Sequence, residues 1–312
     1  MKLLKLFAIE ALAAIALISA GPALAVDLPG PLVDTAWLAA HQKAKGLVVL
    51  DVRTEKDKAA FGYVPGSRFW DWDSVRVDRK IEGVELESMV PTAAQFEKLM
   101  RGLNVSNADT VIIVTPSNNP SSFTQGTRAY WTLKYFGHDK VALLDGGVTK
   151  WTAEKRDTAK ASVPAGKGST YKVRAVRSEL LALTPEVLAV VYKKKDEQLA
   201  DGRTAPFFLG ESKKDYVYAK GHIPGAKLVP NTALQDPKSG ALKPVAELRK
   251  ILAASGVDAA RPIITYCDSG HLSTGVWFVA HELLGNPNVK VYDGSMHEWT
   301  KDAGRPVSTA KE

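Results

Sequence analysis

Short apolar runs alternate with amphipathic stretches along the chain. Residues 47–53 form an apolar run that ends in an Asp-x-Arg sequence, and residues 198–203 form a second run that ends in Asp-Gly-Arg. Residues 110–115 and 262–267 are two further apolar runs of similar length. Runs of this kind, separated by helical patterns, are typical of buried strands in α/β proteins. The pattern therefore predicts an α/β fold whose sheets are mainly parallel and flanked by helices.

Four stretches have the pattern of helices. Residues 91–100 form one of them, with Thr92 or a neighbouring polar residue able to begin it, and residues 246–253 form its counterpart in the second half. Two more helices follow the second pair of apolar runs. We expect these two helices to end before Gly137 and Gly285, because glycine is the usual residue just after a helix C-terminus.

The chain contains the same series of motifs twice. A turn with a Pro-Gly pair occurs at residues 62–67 and again at 221–226. A strand followed by an Asp-Gly turn and a tryptophan occurs at 141–151 and again at 289–299. Self-similarity on this scale predicts duplicated structural units. The predicted organisation is an N-terminal domain, a linker and a C-terminal domain, at residues 26–160, 161–177 and 178–312.

The N-terminus has the pattern of a secretory signal peptide. Lys2 and Lys5 precede an apolar run at residues 6–20, and an Ala-Leu-Ala sequence ends at Ala25. We expect residues 1–25 to be removed by cleavage after Ala25, which would place the mature chain in the periplasm without stable membrane association. An uncleaved anchor is the alternative, although the apolar run is short for a membrane span.

Composition and charge exclude several classes of function. Of the 312 residues, 45% are hydrophobic and 24% are charged, as in ordinary folded proteins. The formal net charge of +7 comes from scattered basic residues. The one basic run, at residues 193–195, has the position of a helix end, so nucleic-acid binding is not expected. A single cysteine forms no internal disulfide, and neither a metal site nor a cofactor is expected.

The one cysteine, Cys267, follows an apolar run and precedes a helical pattern. A cysteine between a strand end and a helix N-terminus lies where free backbone N–H groups favour a thiolate. Gly270 allows the intervening loop a left-handed turn. Thr115 occupies the same position in the first copy of the repeat. Cys267 is therefore either a nucleophile or a buried filler residue, and its presence in only one copy favours a nucleophile.

These motifs, in this order and in two copies, resemble the tandem rhodanese family, the thiosulfate and 3-mercaptopyruvate sulfurtransferases. The resemblance covers nearly the whole chain after residue 25. It implies a non-catalytic N-terminal domain, with Thr115 in place of the cysteine, and a catalytic C-terminal domain. It also implies that the Cys267 thiolate takes a sulfur from a small donor, becomes a persulfide, and passes the sulfur to a thiol or cyanide-like acceptor or to a protein.

The resemblance further implies a set of site residues. Those expected to contact the donor or the persulfide beside Cys267 are Arg203, Asp268, Ser269, Gly270, His271, Leu272 and Ser273. Asp201 and Thr274 are expected to support them structurally. Two positions depart from the family pattern, because Asp268 directly follows the cysteine and Phe207 occupies the place of a second arginine. Both changes weigh against tight binding of an anionic donor, so the donor stays open.

Several residues near the predicted site have two readings. His271 is either an exposed loop residue or a cation that holds the donor or protonates the leaving group. The aromatic cluster at residues 69–72 is expected to face the cleft between the domains, and it either packs in the core or shields the persulfide from water. His222 is interpreted as a structural turn residue, as are Asp145 and Asp293 of the two Asp-Gly turns.

The main alternative function is a sulfur carrier or binding module that relays persulfide sulfur to a partner protein, with little turnover on small donors. The absence of cationic residues from the cysteine loop favours this alternative. A cysteine phosphatase or arsenate reductase requires a Cys-x5-Arg cradle, and residue 273 is a serine.

Overall fold

A computed structural model describes residues 26–81 and 83–309, and the predicted signal peptide lies outside these residues. The strands of the first half are β1 (Leu32–Val33), β2 (Leu47–Arg53), β3 (Arg68–Asp71), β4 (Val77–Ile81), β5 (Val84–Met89), β6 (Thr110–Val114) and β7 (Val141–Leu144). Those of the second half are β8 (Leu181–Ala182), β9 (Gln198–Asp201), β10 (Lys227–Leu228), β11 (Ile263–Tyr266) and β12 (Val289–Tyr292).

Helices connect most of these strands. They are α1 (Thr35–His41), α2 (Ala93–Gly102), α3 (Pro120–Tyr135), α4 (Gly147–Ala153), α5 (Thr184–Val191), α6 (Ala205–Phe208), α7 (Val245–Ala254), α8 (Ser273–Trp277) and α9 (Ser295–Trp299). Helix α8 continues as a π-helix over Phe278–Leu283. Among the described residues, no helix combines the length and apolar character that crossing a membrane requires.

The two halves contain five-stranded sheets of the same topology. The strand order is β1-β7-β6-β2-β3 in the first half and β8-β12-β11-β9-β10 in the second, and neighbouring strands in both sheets run parallel. This arrangement confirms the predicted duplication of an α/β unit with a parallel sheet. It also explains why the strands read as continuous apolar runs, since parallel sheets are covered on both faces.

The strand register places the two copies of the site at equivalent points. Asp51 pairs with Val114 across β2 and β6, and Asp201 pairs with Tyr266 across β9 and β11. The next residue along the chain is a threonine in the first half and Cys267 in the second. Both residues therefore lie at the carboxyl edge of their sheets, where open α/β sheets bind ligands.

One hydrophobic core contains residues of both halves and joins them. The ring of Tyr130 on α3 lies 5.0 Å from that of Phe278, in an edge-on arrangement, and 6.3 Å from that of Trp277 on α8. The outer faces of the two sheets carry separate cores that include Trp151 and Trp299. Helices α3 and α8 thus pack against each other between the sheets, and the cysteine loop precedes one of them.

The predicted helix ends are confirmed. The Thr92 side chain accepts the backbone N–H of Gln95 at the start of α2. Gly137 and Gly285 follow their helices with φ of +77° and +75°, the left-handed conformation that favours glycine.

The antiparallel hairpin β4–β5 reaches from the first half to the second. The backbone N–H of Glu87 donates to Nε2 of His297 at 3.1 Å, and that of Val90 donates to the Asp293 carboxylate at 2.7 Å. This hairpin was not predicted from the sequence.

The segment predicted as a linker packs closely on the first half. Residues 161–177 form no helix or strand. The Tyr171 ring is nevertheless buried and lies edge-on to Phe96 at 5.8 Å, and the backbone N–H of Lys172 donates to the Asn107 side chain at 2.9 Å. The domain boundaries themselves stay a prediction.

Candidate active site

Cys267 follows β11 and begins a tight loop that leads into α8. Its side chain is almost completely buried, with 1% of the residue exposed. Ser295, at the start of α9, holds this loop, because its hydroxyl oxygen accepts the backbone N–H groups of Cys267 and Gly270, each at 3.0 Å. The same hydroxyl donates to the carbonyl of Tyr292 at 2.8 Å. The Cys267 carbonyl accepts the backbone N–H of Met296, so the loop is fixed at both ends.

Gly270 provides the left-handed turn that the sequence predicts, with φ of +68°. A Cβ atom at this position would lie 2.7 Å from Nη1 of Arg128 and would also overlap the side chain of Asp293. The turn therefore needs glycine for two reasons, the backbone conformation and the close approach of an ion pair.

The loop contains several unused donors. Among the described residues, none accepts a hydrogen bond from the backbone N–H groups of Asp268, Ser269, His271, Leu272 and Ser273. The Ser273 hydroxyl is also buried without a partner in this part of the chain. A buried donor such as this hydroxyl is costly unless an acceptor is supplied. The loop that begins at the cysteine is thus suited to surround an anion such as a thiolate or persulfide.

Arg203 lies in the interior and is occupied by protein groups. Its guanidinium donates to the Asp201 carboxylate at 2.7 Å, to Asp268 at 3.2 Å and to the carbonyl of Gly221 at 2.8 Å. The residue is 1% exposed. These contacts differ from those expected of an arginine that binds a substrate, and Asp201 holds the guanidinium in place. The first half repeats the arrangement with Asp51 and Arg53.

Asp268 is turned toward Arg203 and away from solvent. Burial raises the pKa of its carboxyl group, and the Arg203 guanidinium opposes that rise. The sequence analysis expected this carboxylate to repel an anionic donor. The Arg203 guanidinium offsets part of that repulsion, although it is shared with the Asp201 carboxylate.

His271 lies at the interface between the halves, which differs from both readings of the sequence. Its Nε2 is 2.9 Å from the hydroxyl oxygen of Thr124 on α3, and its ring is 4.5 Å from the Trp72 ring. Burial, followed by the positive charges of Arg76 and Arg128, holds its pKa well below the usual value for histidine. The side chain is therefore neutral near pH 7 and is neither an exposed loop residue nor a cation.

Thr274 and Leu272 border the same interface. The Thr274 hydroxyl donates to the carbonyl of His271 at 2.7 Å and lies 2.8 Å from the hydroxyl of Thr127 on α3. This contact links the cysteine loop to the first half. Leu272 is half-buried, directly before α8.

Two arginines of the first half border the cysteine loop, and the sequence analysis missed both. Nη1 of Arg128 on α3 donates to the carbonyl of Gly270 at 2.8 Å and to the carboxylate of Asp293. The Arg76 guanidinium lies 4.2 Å from the centre of the Trp72 ring. Burial and the charge of Arg128 lower the pKa of Arg76 to about 10, while Cys267 acts in the opposite direction.

A signal for Arg128 exists in the sequence. Helix α3 is largely buried, yet Thr124, Thr127, Arg128 and Thr132 recur at helical spacing along it. A polar stripe on a buried helix indicates a polar interface with another element. Arg76 follows a turn and belongs to no comparable pattern.

Asp293 corrects the interpretation of the Asp-Gly turns as purely local structures. Its carboxylate accepts the backbone N–H of Val90 at 2.7 Å and pairs with Arg128, both in the other half of the chain. Asp145, its counterpart, accepts the backbone N–H of Leu242 at 2.9 Å, again across the interface. Each Asp-Gly turn therefore fixes a segment of the opposite half.

The aromatic cluster divides between the core and the border of the cysteine loop. Trp70 is fully buried in the core, whereas Trp72 lies between the Arg76 guanidinium and the His271 ring beside the cysteine loop. Tyr216 is a further neighbour that the sequence analysis missed. Its pKa is raised to about 12 by burial, while a hydrogen bond with Ser269 opposes the rise.

His222 and the question of a metal site remain. His222 stacks on Phe208 at 3.7 Å and its Nδ1 contacts the carbonyl of that residue at 2.8 Å, which agrees with a structural turn residue. Within residues 26–81 and 83–309, no three histidine, cysteine, aspartate or glutamate residues are grouped so that they could hold a metal ion.

Comparisons with known proteins place this geometry in context. The family model described as Rhodanese-like domain matches residues 34–154 and 184–302. The sulfur carrier protein TtuD of Thermus thermophilus is 32% identical over 91% of this chain and 98% of its own length. A Mycolicibacterium smegmatis protein, provisionally named a thiosulfate sulfurtransferase, is 32% identical over 88% of this chain and 96% of its own.

A solved structure gives a similar result. The crystal structure of SseA from Escherichia coli, described as a 3-mercaptopyruvate sulfotransferase, superposes with a TM-score of 0.73 and 29% identity. The match covers 85% of this chain and 98% of that one.

Proposed function

The chain belongs to the rhodanese family, with one rhodanese-like domain in each half, and we propose that it is a sulfurtransferase whose nucleophile is Cys267. One observation carries the proposal. The loop that begins at Cys267 leaves five backbone N–H groups and the buried Ser273 hydroxyl without acceptors in the described chain. Such a cradle stabilises a thiolate and the persulfide that replaces it. Thr115, at the equivalent position of the first half, has no thiol.

The reaction proceeds in two displacements at sulfur. The Cys267 thiolate attacks the transferable sulfur of a small donor, so a new S–S bond forms while the bond from that sulfur to the rest of the donor breaks. In thiosulfate this is the S–S bond to the sulfonate group, and in 3-mercaptopyruvate it is the C–S bond, whose carbon leaves as the enolate of pyruvate. The leaving group departs with the electron pair, as sulfite when the donor is thiosulfate. An acceptor thiolate then attacks the outer sulfur of the Cys267 persulfide. It becomes a persulfide itself, and the enzyme thiolate is restored.

The protein's contribution is positioning and charge stabilisation. The hydroxyl of Ser295 fixes the amides of Cys267 and Gly270, so the loop needs no rearrangement when charge moves onto the new sulfur. Burial of Cys267 excludes water from the persulfide, and preorganised donors in such a site act more strongly than in water.

A second candidate function is the relay of persulfide sulfur to a partner protein. The similarity to TtuD, which is named a sulfur carrier protein, favours it. A relay uses the same Cys267 persulfide and differs only in the acceptor. It predicts that a loaded protein transfers sulfur slowly to small thiols.

Residues 1–25 support a proposal on location. Their pattern of two lysines, an apolar run and an Ala-Leu-Ala sequence fits export to the periplasm with cleavage after Ala25. Mass spectrometry of the protein from a periplasmic fraction tests this directly. A mature N-terminus at Val26 is expected, and an intact Met1 on membrane-bound protein would refute it.

The intact mass of the purified protein tests the sulfur-transfer proposal. After incubation with thiosulfate, 3-mercaptopyruvate or polysulfide, wild type is expected to gain the mass of one sulfur, and Cys267→Ser is expected to gain none. Thr115→Ser is the matched control, because it changes the equivalent position of the first half and keeps the hydroxyl that contacts Ser117. This control should load as wild type does. A wild type that takes up no sulfur from any donor, although Cys267 reacts with an alkylating agent, would refute the proposal.

A further inference from the structure

We infer that Arg76 and Arg128, both from the half without the cysteine, form the binding site for the oxyanion group of the sulfur donor. The inference rests on the proposed sulfur transfer and concerns how the donor is selected. It assigns the N-terminal half a direct part in substrate binding.

The cysteine loop itself contains no cation, and Lys214, the exposed cation that acts on Asp268, lies over the Phe207 ring. Residues 267–274 include no lysine or arginine. The guanidinium of Arg203 is buried and occupied by two carboxylates and a carbonyl. His271 lies against Thr124 and Trp72 and is neutral. Within the described residues, the guanidiniums with unused donors at this loop belong to the other half of the chain.

The opposite side presents two guanidiniums with unused donors. Arg128 is fully buried, and its Nε and Nη2 atoms have no hydrogen-bond partner within the described residues. The Nε of Arg76 is likewise buried without a partner in that part of the chain. Buried guanidinium N–H groups without acceptors are costly, because the lost hydration is not replaced. A ligand oxygen would remove this cost.

Contacts with the loop place both arginines at its border. Arg128 donates to the carbonyl of Gly270, three residues after the cysteine. Arg76 stacks on Trp72, which in turn packs against His271. The two guanidiniums are also close enough for Arg128 to lower the pKa of Arg76, and Cys267 is close enough to raise it. The carboxylate of Asp293 neutralises one of the two charges, so one positive charge is left for a ligand.

The chemistry of the pair selects a class of donor. A guanidinium binds sulfonate and carboxylate oxygens through parallel N–H donors, and its planar fork matches both groups. Thiosulfate and 3-mercaptopyruvate share this feature, because each carries an oxyanion within a few bonds of the transferable sulfur. When the leaving group departs with the electron pair, its negative charge increases beside the two arginines. They therefore stabilise the transition state as well as the bound donor.

Arg76→Gln is the variant that tests the inference, since Arg128 belongs to a buried ion pair and its loss endangers folding. In a Cys267→Ser background, thiosulfate binds without reacting, and calorimetry measures its dissociation constant. Arg76→Gln is expected to weaken binding by roughly 10- to 100-fold, the effect of one charge-assisted contact. Arg76→Lys keeps the charge and should restore part of the loss. The same titration with 3-mercaptopyruvate identifies which oxyanion the site prefers.

Two control variants separate a local contact from a general charge effect. Lys80→Gln removes the same charge from the neighbouring strand, where Lys80 is exposed and paired with Glu85. Lys214→Gln removes the exposed cation that lies over Phe207 and acts on Asp268. Both variants are expected to bind thiosulfate as the background protein does. If Lys214→Gln loses as much thiosulfate affinity as Arg76→Gln, or more, the inference is overturned.

Loading from different donors distinguishes failure of the inference from failure of the sulfur-transfer proposal. With Cys267 intact, Arg76→Gln should slow loading from thiosulfate far more than loading from polysulfide, which carries transferable sulfur and no oxyanion. Equal slowing, or none, overturns the inference while sulfur transfer stands. No loading of wild type by any donor overturns the proposed function instead.

Discussion

The ion pair between Arg128 and Asp293 joins the two halves next to the cysteine loop, and its removal gives the most informative prediction. Both side chains are almost fully buried, with 0% and 1% of their surface exposed. Arg128→Met keeps a long unbranched side chain but leaves the carboxylate without its charge partner. Breaking a buried pair in this way costs about 3–5 kcal/mol of unfolding free energy. For a chain of this size the thermal midpoint should fall by roughly 5–8 °C.

A double-mutant cycle isolates the pair itself. Asp293→Asn removes the charge and keeps an oxygen that can accept the backbone N–H of Val90, which lies 2.7 Å from the carboxylate. In the protein that carries both substitutions no charge is left unpaired. The double variant should therefore be more stable than the sum of the single losses predicts, by about 1 kcal/mol or more.

Urea unfolding at neutral pH measures these free energies, and a surface ion pair provides the control. Arg156 pairs with Glu154 at 2.8 Å, where both side chains are about one-third exposed. Arg156→Met should cost less than about 1 kcal/mol, because solvent screens exposed pairs. If Arg128→Met costs no more than Arg156→Met, or if the losses at Arg128 and Asp293 simply add, the buried pair does not hold the halves together.

Three further predictions concern the turn, acid stability and the role of His271. Gly270→Ala should abolish sulfur loading and destabilise the folded protein more than Gly285→Ala does. Both glycines have a left-handed backbone, but only a Cβ at Gly270 would lie against Arg128. Equal effects of the two variants in thermal unfolding would contradict this. Burial lowers the pKa of His138 to about 4, so below pH 6.5 the unfolded chain binds more protons than the folded chain. The free energy of unfolding, measured with urea, should therefore fall by about 2 kcal/mol between pH 7.5 and pH 5. His138→Gln should remove that part of the loss, and an unchanged pH slope would refute it. Because His271 stays neutral, His271→Ala should slow loading by the same factor at every pH between about 5 and 8; a ratio that follows an ordinary histidine titration would disprove this.

The fold was predictable because it depends on short-range patterns. Apolar runs mark the parallel strands, and the positions of Gly137 and Gly285 mark helix ends through a backbone conformation that few other residues adopt. The duplication also showed which positions of the two halves are equivalent, because each motif in one half has its counterpart in the other. The same reasoning gave the left-handed turn at Gly270 in the cysteine loop.

The surroundings of the site were not predictable in the same way. The contact between His271 and Thr124 joins residues 147 positions apart, and that between Arg128 and Asp293 joins residues 165 apart. Nothing near His271 in the sequence indicates burial against another domain, which is what lowers its pKa. Arg203 was misread for the opposite reason, because the sequence shows its positive charge but not the three groups that occupy it.

The duplicated framework also shows that the half without the cysteine is adapted to the half that has it. Arg128 lies nine residues before Gly137, the glycine that ends its helix, and the residue nine before Gly285 is Val276. Helix α8 thus has an apolar side chain where α3 has a guanidinium. Asp145 accordingly pairs with Lys150 of its own half, whereas Asp293 pairs across the interface. The asymmetry joins the half without the cysteine to the cysteine loop of the other half, because Arg128 contacts both Asp293 and the carbonyl of Gly270.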